Sequence, residues 1–170
     1  MRFAGTRETC ELTGLSVEVL REWTIRRALI PADVFPRAKG SQAQYSWQTI
    51  LILRLAATLR NRFHVELQAH KTLFAQLKDA VRDLEPSDVM TMTLLLAGNG
   101  VWTLVEGLTR EPAEVLAIQL KPHLEPLLEF FNLPDDSVRQ IELFAISSIA
   151  ADRKVPSGIR AHARRNEVVA

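Results

Sequence analysis

The feature that most constrains this chain is the break at Thr13-Gly14-Leu15-Ser16. Residues 6 to 13 suit one short helix, and Gly14, Leu15 and Ser16 end it. Ser16 is a good N-cap for a second helix, because its hydroxyl can accept a free backbone N–H. Val17, Leu20 and Trp23 then follow at helical spacing. A helix, a turn containing glycine and a second helix make a helix-turn-helix. Leu12, Leu15, Val19 and Leu20 would pack between the two helices. Arg21, Arg26 and Arg27 fall on or just after the second helix, where they can reach phosphates or guanine edges. A helix braced in this way fits a major groove about 12 Å wide.

Downstream, Pro31 and Pro36 imply extended or turn structure, and Lys39-Gly40-Ser41 reads as a hairpin tip. Ser46 can cap a third helix whose apolar positions include Ile50, Leu51, Leu53, Leu55 and Leu59. A long helix is expected from about Val65 to Leu84. Phe63, Leu67, His70, Phe74, Leu77, Val81 and Leu84 are spaced 4, 3, 4, 3, 4, 3, the a/d pattern of a coiled coil. A helix packed on its own core gives the same spacing, so the pattern alone leaves both arrangements open.

Met90 to Leu96 and Val101 to Val105 flank Gly98-Asn99-Gly100. Asn-Gly between such runs predicts a hairpin, with strands near 89–97 and 100–106. A helix over 88–97 is the alternative, since Met and Leu favour helices. Two more helices are expected near 111–131 and 135–150, followed by a flexible basic tail over 151–170. Pro112 would open the first, and Pro122 and Pro126 would interrupt or kink it.

Charge is segregated along the chain. Residues 1–70 hold ten Lys/Arg against six Asp/Glu, residues 71–150 six against twelve, and residues 151–170 five against two. A basic front and an acidic middle suggest that the front meets an anion. The single cysteine, Cys10, cannot form an internal disulfide or a cysteine-rich zinc site, which fits a reducing, cytoplasmic setting. No apolar run is long enough to span a membrane. The four histidines are scattered, and no phosphate loop, nucleophile elbow or H-E-x-x-H segment is present. An enzyme is not expected, nor a metal site or a cofactor.

The first 65 or so residues resemble the N-terminal domain of the MerR-type transcription regulators. The resemblance rests on Leu12-Thr13-Gly14-Leu15-Ser16, Leu20-Arg21, Trp23, Leu29-Ile30-Pro31, Tyr45-Ser46 and Leu53-Arg54-Leu55, in matching order. Leu59-Arg60 and Phe63 match the family's usual ending in part. It implies a winged helix over 1–64 and a dimerising helix over 65–85, pairing antiparallel with its twin through the Phe63 to Leu84 seam. A C-terminal α/β region over 86–150 would follow. It also implies a DNA-contacting set of Ser16, Arg21, Trp23, Arg26, Arg27, Lys39 and Tyr45, with Tyr45 supporting the wing.

Three departures stand out. The segment from Leu20 to Pro31 is one residue longer than usual, Ala28 stands where the family often has glycine, and Ala43-Gln44 replaces the usual wing arginine. No cysteine lies where the family's metal and thiol sensors carry theirs.

The expected fold is therefore mostly α: a winged helix-turn-helix, a long dimerisation helix, and a helical C-terminal region with a β-hairpin. The expected function is sequence-specific binding of double-stranded DNA by a homodimeric transcriptional regulator. RNA polymerase or another protein partner and a small-molecule effector would be further ligands. A protein-interaction module using the acidic middle, and an accessory DNA-bending factor, are the alternatives. Trp102, Met90 and Met92 fit either core or a ligand pocket, and Arg160, Arg164 and Arg165 fit either phosphate contact or a solubilising tail.

Overall fold

In the computed structural model of the chain, residues 2–36, 38, 41–97, 101–107 and 114–134 are described. They belong to one compact unit, Met1–Asp136. The expected helix over 135–150, the tail over 151–170, Lys39 and the Asn99-Gly100 turn lie outside the described residues. The fold is mostly helical, with a small three-stranded antiparallel sheet.

Helix α1 (Thr6–Thr13) begins where the Glu8 carboxylate accepts the Gly5 N–H. It ends at Gly14, whose φ of 70° is left-handed and whose N–H reaches the Cys10 carbonyl. Helix α2 (Val17–Arg21) is capped as expected, with the Ser16 hydroxyl accepting from the Val19 N–H. It continues into a π-helical turn, Glu22–Arg26, in which the Arg27 N–H bonds the Glu22 carbonyl. A π turn takes in one more residue per hydrogen-bonded ring than an α turn. The chain then reverses at Ala28, which is left-handed (φ 46°), so that the Leu29 N–H bonds back to the Trp23 carbonyl. This six-residue return is the position at which glycine usually closes a helix.

Two antiparallel bridges follow. Val34 pairs with Gln44, and Ala4 pairs with Tyr45. The amino-terminal segment, the 34–44 excursion and the start of the next helix are thereby tied at one place. Helix α3 (Trp47–Phe63) opens on Ser46, whose hydroxyl accepts from the Thr49 N–H, and closes on left-handed His64. Trp47, Thr49, Ile50, Leu51, Ile52, Leu53, Leu55, Ala56, Ala57 and Leu59 are all buried. A helix buried on most of its circumference is a central element, not an amphipathic surface one. It packs against α1, against α4 (Lys71–Ala80) and against α6 (Lys121–Phe131).

The long helix over 65–85 is not formed as one piece. His64 leaves the helical region, Glu66 is extended and caps a short 3₁₀ turn over Leu67–His70, and α4 runs from Lys71 to Ala80. The heptad spacing has an intramolecular reason. Leu67, Phe74, Leu77 and Val81 are at most 6% exposed and belong to the chain's own core. Leu84 is half-buried, and Phe63 sits at the end of α3, 45% exposed.

The expected pair of strands forms, as β1 (Met92–Ala97) and β2 (Trp102–Glu106) with Leu94 opposite Leu104, but the first strand starts at Met92 and not near 89. A one-turn helix α5 (Pro86–Thr91) precedes it, with Pro86 at its start. The helix expected over 111–131 is instead a strand and a shorter helix. Strand β3 (Val115–Gln119) pairs antiparallel with β1, giving the order β2-β1-β3, and α6 begins only at Lys121. The reasons are local and tertiary together. Pro122 fits the first turn of a helix but not its interior. The edge of β1 also offers unpaired backbone groups that Val115–Gln119 satisfies. Trp102, Met90 and Met92 pack against the core and line neither of the two clefts described below. Trp102 donates its indole N–H to Gln76 at 2.9 Å, tying the sheet to α4.

Left-handed backbone strains any residue with a Cβ. Replacing Ala28 by Gly should therefore raise stability by about 1 kcal/mol, read as a higher urea midpoint with an unchanged slope.

Candidate nucleic-acid interface

The α2–π segment has two sides. Leu20, Trp23 and Thr24 face inward and are buried. Val17, Glu18, Arg21 and Ile25 face outward, with Val17 and Ile25 each 37% exposed. This split follows from helical periodicity: positions 17 and 21, and 18, 21 and 25, fall on one stripe.

The three arginines differ in freedom. One carboxylate, Glu22, holds both Arg26 (3.5 Å) and Arg27 (2.6 Å). Both guanidiniums are well exposed, so these pairs are screened and exchangeable. Arg21 is exposed and takes part in no ion pair among the described residues. Glu18 shares its face. The Glu18 carboxyl is held below its usual range by its own backbone N–H and by the Ser16 hydroxyl at the helix start.

Of the expected DNA-contacting residues, Arg21, Arg26 and Arg27 are all exposed, but Arg26 and Arg27 line the cleft toward α3 and Arg21 does not; the Ser16 hydroxyl is engaged in capping. Two others are inside. Trp23 is 5% exposed and Tyr45 is fully buried, so neither reaches a groove as the fold stands. Thr24 donates its hydroxyl to the Leu20 carbonyl at 2.8 Å, which leaves the Tyr45 hydroxyl to donate to Thr24 at 3.1 Å. Burial, against that bond, pushes the Tyr45 phenol up. Tyr45 thus ties the π turn to the bridged segment from within. Cys10 is half-buried, and burial together with Glu18 pushes its thiol up despite Arg21, which makes it a poor nucleophile.

Sequence reasoning missed the groups that hold this surface from behind. The Arg60 guanidinium lies over the Trp23 ring, 5.6 Å from its centroid. Arg60, Asn61, His64 and Gln68 face the α2–π segment across an open cleft of about 760 Å³. Lys71 donates to the Arg27 carbonyl at 3.2 Å, just past the π turn. Lys78 donates to the Pro31 carbonyl at 3.0 Å and pairs with Asp33 at 2.9 Å. Asp33 also accepts the Ser46 N–H at 2.7 Å. The two lysines reach partners 44 to 47 positions away, which nothing in linear spacing joins.

Asp33 and Lys78 have side chains only 20% and 22% exposed, so the pair is partly sheltered from screening. Burial raises the Asp33 carboxyl, but the Ser46 N–H, Lys78 and Thr49 outweigh it, and the net shift is downward. A carboxyl depressed on folding stabilises above its unfolded pKa, and that contribution is lost as pH falls through the folded value. Asp33→Asn should cost about 1–3 kcal/mol near neutral pH. The gap to the unsubstituted protein should narrow below about pH 4, as urea titrations at pH 7 and pH 3 would read. An equal gap at both would remove the assigned role.

Among the described residues no group of three or more His, Cys, Asp or Glu side chains could hold a metal, and no helix is long and apolar enough to cross a membrane. No protein-family model matches the chain, and no curated protein sequence matches it.

Proposed function

We propose that this chain binds double-stranded DNA through the α2–π segment, as a winged helix-turn-helix transcriptional regulator of MerR-like type. The observation that carries the reading is Arg21. It is an exposed guanidinium, in no ion pair among the described residues, on the outer face of a capped helix that follows a left-handed glycine turn. In the proposed docking, α2 enters the major groove and Arg21 meets a phosphate or a guanine edge. Val17 and Ile25 give apolar contact to thymine methyl groups. Arg26 and Arg27 exchange Glu22 for backbone phosphates. The 34–44 excursion, closed by the Val34–Gln44 bridge, is the wing.

Two departures from the family pattern acquire a physical meaning that supports the resemblance. The π turn can absorb the extra residue between Leu20 and Pro31. Ala28 is left-handed where the family often has glycine. A homodimer stays part of the proposal, because one short reading helix contacts too little DNA for strong specificity. It would need surfaces other than Leu67, Phe74, Leu77 and Val81, which already lie in the core. Exposed Phe63 is available for it.

A second reading is a protein-interaction module. Its support is that Glu22 holds two of the three arginines, while the wing position carries buried Ala43 and uncharged Gln44.

The test is selection of genomic DNA fragments by the purified chain at two salt concentrations, followed by titration of the best site. Arg21→Ala should weaken that site by about 1–3 kcal/mol, which is about five-fold to 150-fold. If Arg21 reaches only a phosphate, the salt slope should also fall by about 1. Unchanged affinity and slope would reject the docking. Absence of any selected site at either salt would favour the interaction module.

A further inference from the structure

A second cleft, of about 610 Å³, opens between α3 and the β3–α6 junction, beside the end of α1. Its polar lining includes Thr13, Arg54, Asn61, Arg62, Gln119 and His123, and among the described residues no aspartate or glutamate lines it. Neither Arg54 nor Arg62 makes an ion pair among the described residues. Arg54 is half-buried. One of its terminal nitrogens donates to the Leu12 carbonyl, while its Nε is closed off from solvent with no hydrogen-bond partner among the described residues. A guanidinium drawn half out of water is costly, and an oxyanion brought beside it in the cleft offsets part of that cost. Near the junction, α6 starts at Lys121, so the positive end of its dipole adds to the same field. His123 is consistent with this. Its burial, reinforced by Arg54 and Arg62, holds the imidazole neutral down to about 4.

We propose that this cleft is a binding site for a small oxyanion ligand, a phosphate monoester or a carboxylate carrying an apolar body. Arg54 supplies a half-buried positive charge, Arg62 a second, exposed guanidinium, and Thr13 and Asn61 neutral hydrogen-bonding groups. The side chain of Phe63 also lines the cleft and is 45% exposed, which suits the apolar part. The volume is in the range of small-molecule sites. Arg54 ties α3 to the last turn of α1, next to the Gly14 turn that sets α2. A ligand on that guanidinium therefore acts directly on the brace of the reading helix. This consequence rests on the DNA reading; the existence of the site does not.

The experiment is a titration of the full chain, without DNA, by phenyl phosphate and separately by benzoate. It follows the ¹⁵N-labelled Arg54 Nε–H by NMR, with affinity from calorimetry. A saturable shift of that resonance with at least one probe is expected, at a Kd of about 1 mM or tighter. The probe that binds more tightly identifies the oxyanion. Arg62→Gln removes an exposed side chain and should weaken binding several-fold with the fold intact. Arg54→Lys keeps the charge but loses the guanidinium, and should weaken it ten-fold or more. No saturable shift with either probe would overturn the proposal, as would unchanged affinity in a folded Arg62→Gln protein. If neither probe binds and Arg62→Gln instead loses DNA affinity, the cleft meets a nucleic-acid phosphate and the small-ligand site is rejected.

Discussion

Helix α3 is the element on which everything else in the described unit is set. Ten of its 17 residues are buried, and they include seven Leu, Ile or Trp side chains. Each fully buried aliphatic chain of that size contributes roughly 1.5–3 kcal/mol before entropy is counted. The helix is covered from several directions, by α1, by α4 and by α6. The amino-terminal helices and the carboxy-terminal sheet region therefore share one hydrophobic core. The proposed reading surface and the oxyanion cleft are both built partly from this helix, through Arg60 on one side and Arg54 and Arg62 on the other.

The polar contacts distribute position from that core to the surface. Tyr45 and Thr24 hold the π turn from within, Lys71 holds the carbonyl at its end, and Lys78 with Asp33 holds the next segment. Partly sheltered charge-assisted bonds of this kind are directional as well as favourable. They keep a short helix in a defined orientation, which a reading surface requires. The same arrangement explains why Trp23 and Tyr45 matter without contacting a ligand: they are the inner side of the surface that Arg21 presents.

Much of the proposed reading head was legible in advance. Gly14 and Ser16 bounded the first two helices, Ser46 bounded the third, and Gly98-Asn99-Gly100 between Thr- and Val-containing runs marked the hairpin. These are local signals, in which a residue's own backbone preference or side-chain hydrogen bond sets the geometry within four positions. The heptad run from Phe63 to Leu84 was the ambiguous case. Its period reported that one face would be buried and was silent on what would bury it, and α3 supplies that cover within the same chain. The region after residue 110 was misjudged because strand β3 depends on an edge of β1 that exists only after folding.

From the sequence alone came where the chain caps, turns and changes period, and that Arg21, Arg26 and Arg27 would lie on or just after the second helix. The folded chain settled which of those arginines are in ion pairs among the described residues, that Trp23 and Tyr45 turn inward, and that Leu67, Phe74, Leu77 and Val81 face their own core. It also brought Arg54, Arg62 and His123 around one cleft whose described lining holds no carboxylate. The physical reason is range. Capping and periodicity act over one or two turns of backbone, whereas burial, charge pairing and cleft formation depend on partners that chain closure brings together from distant positions.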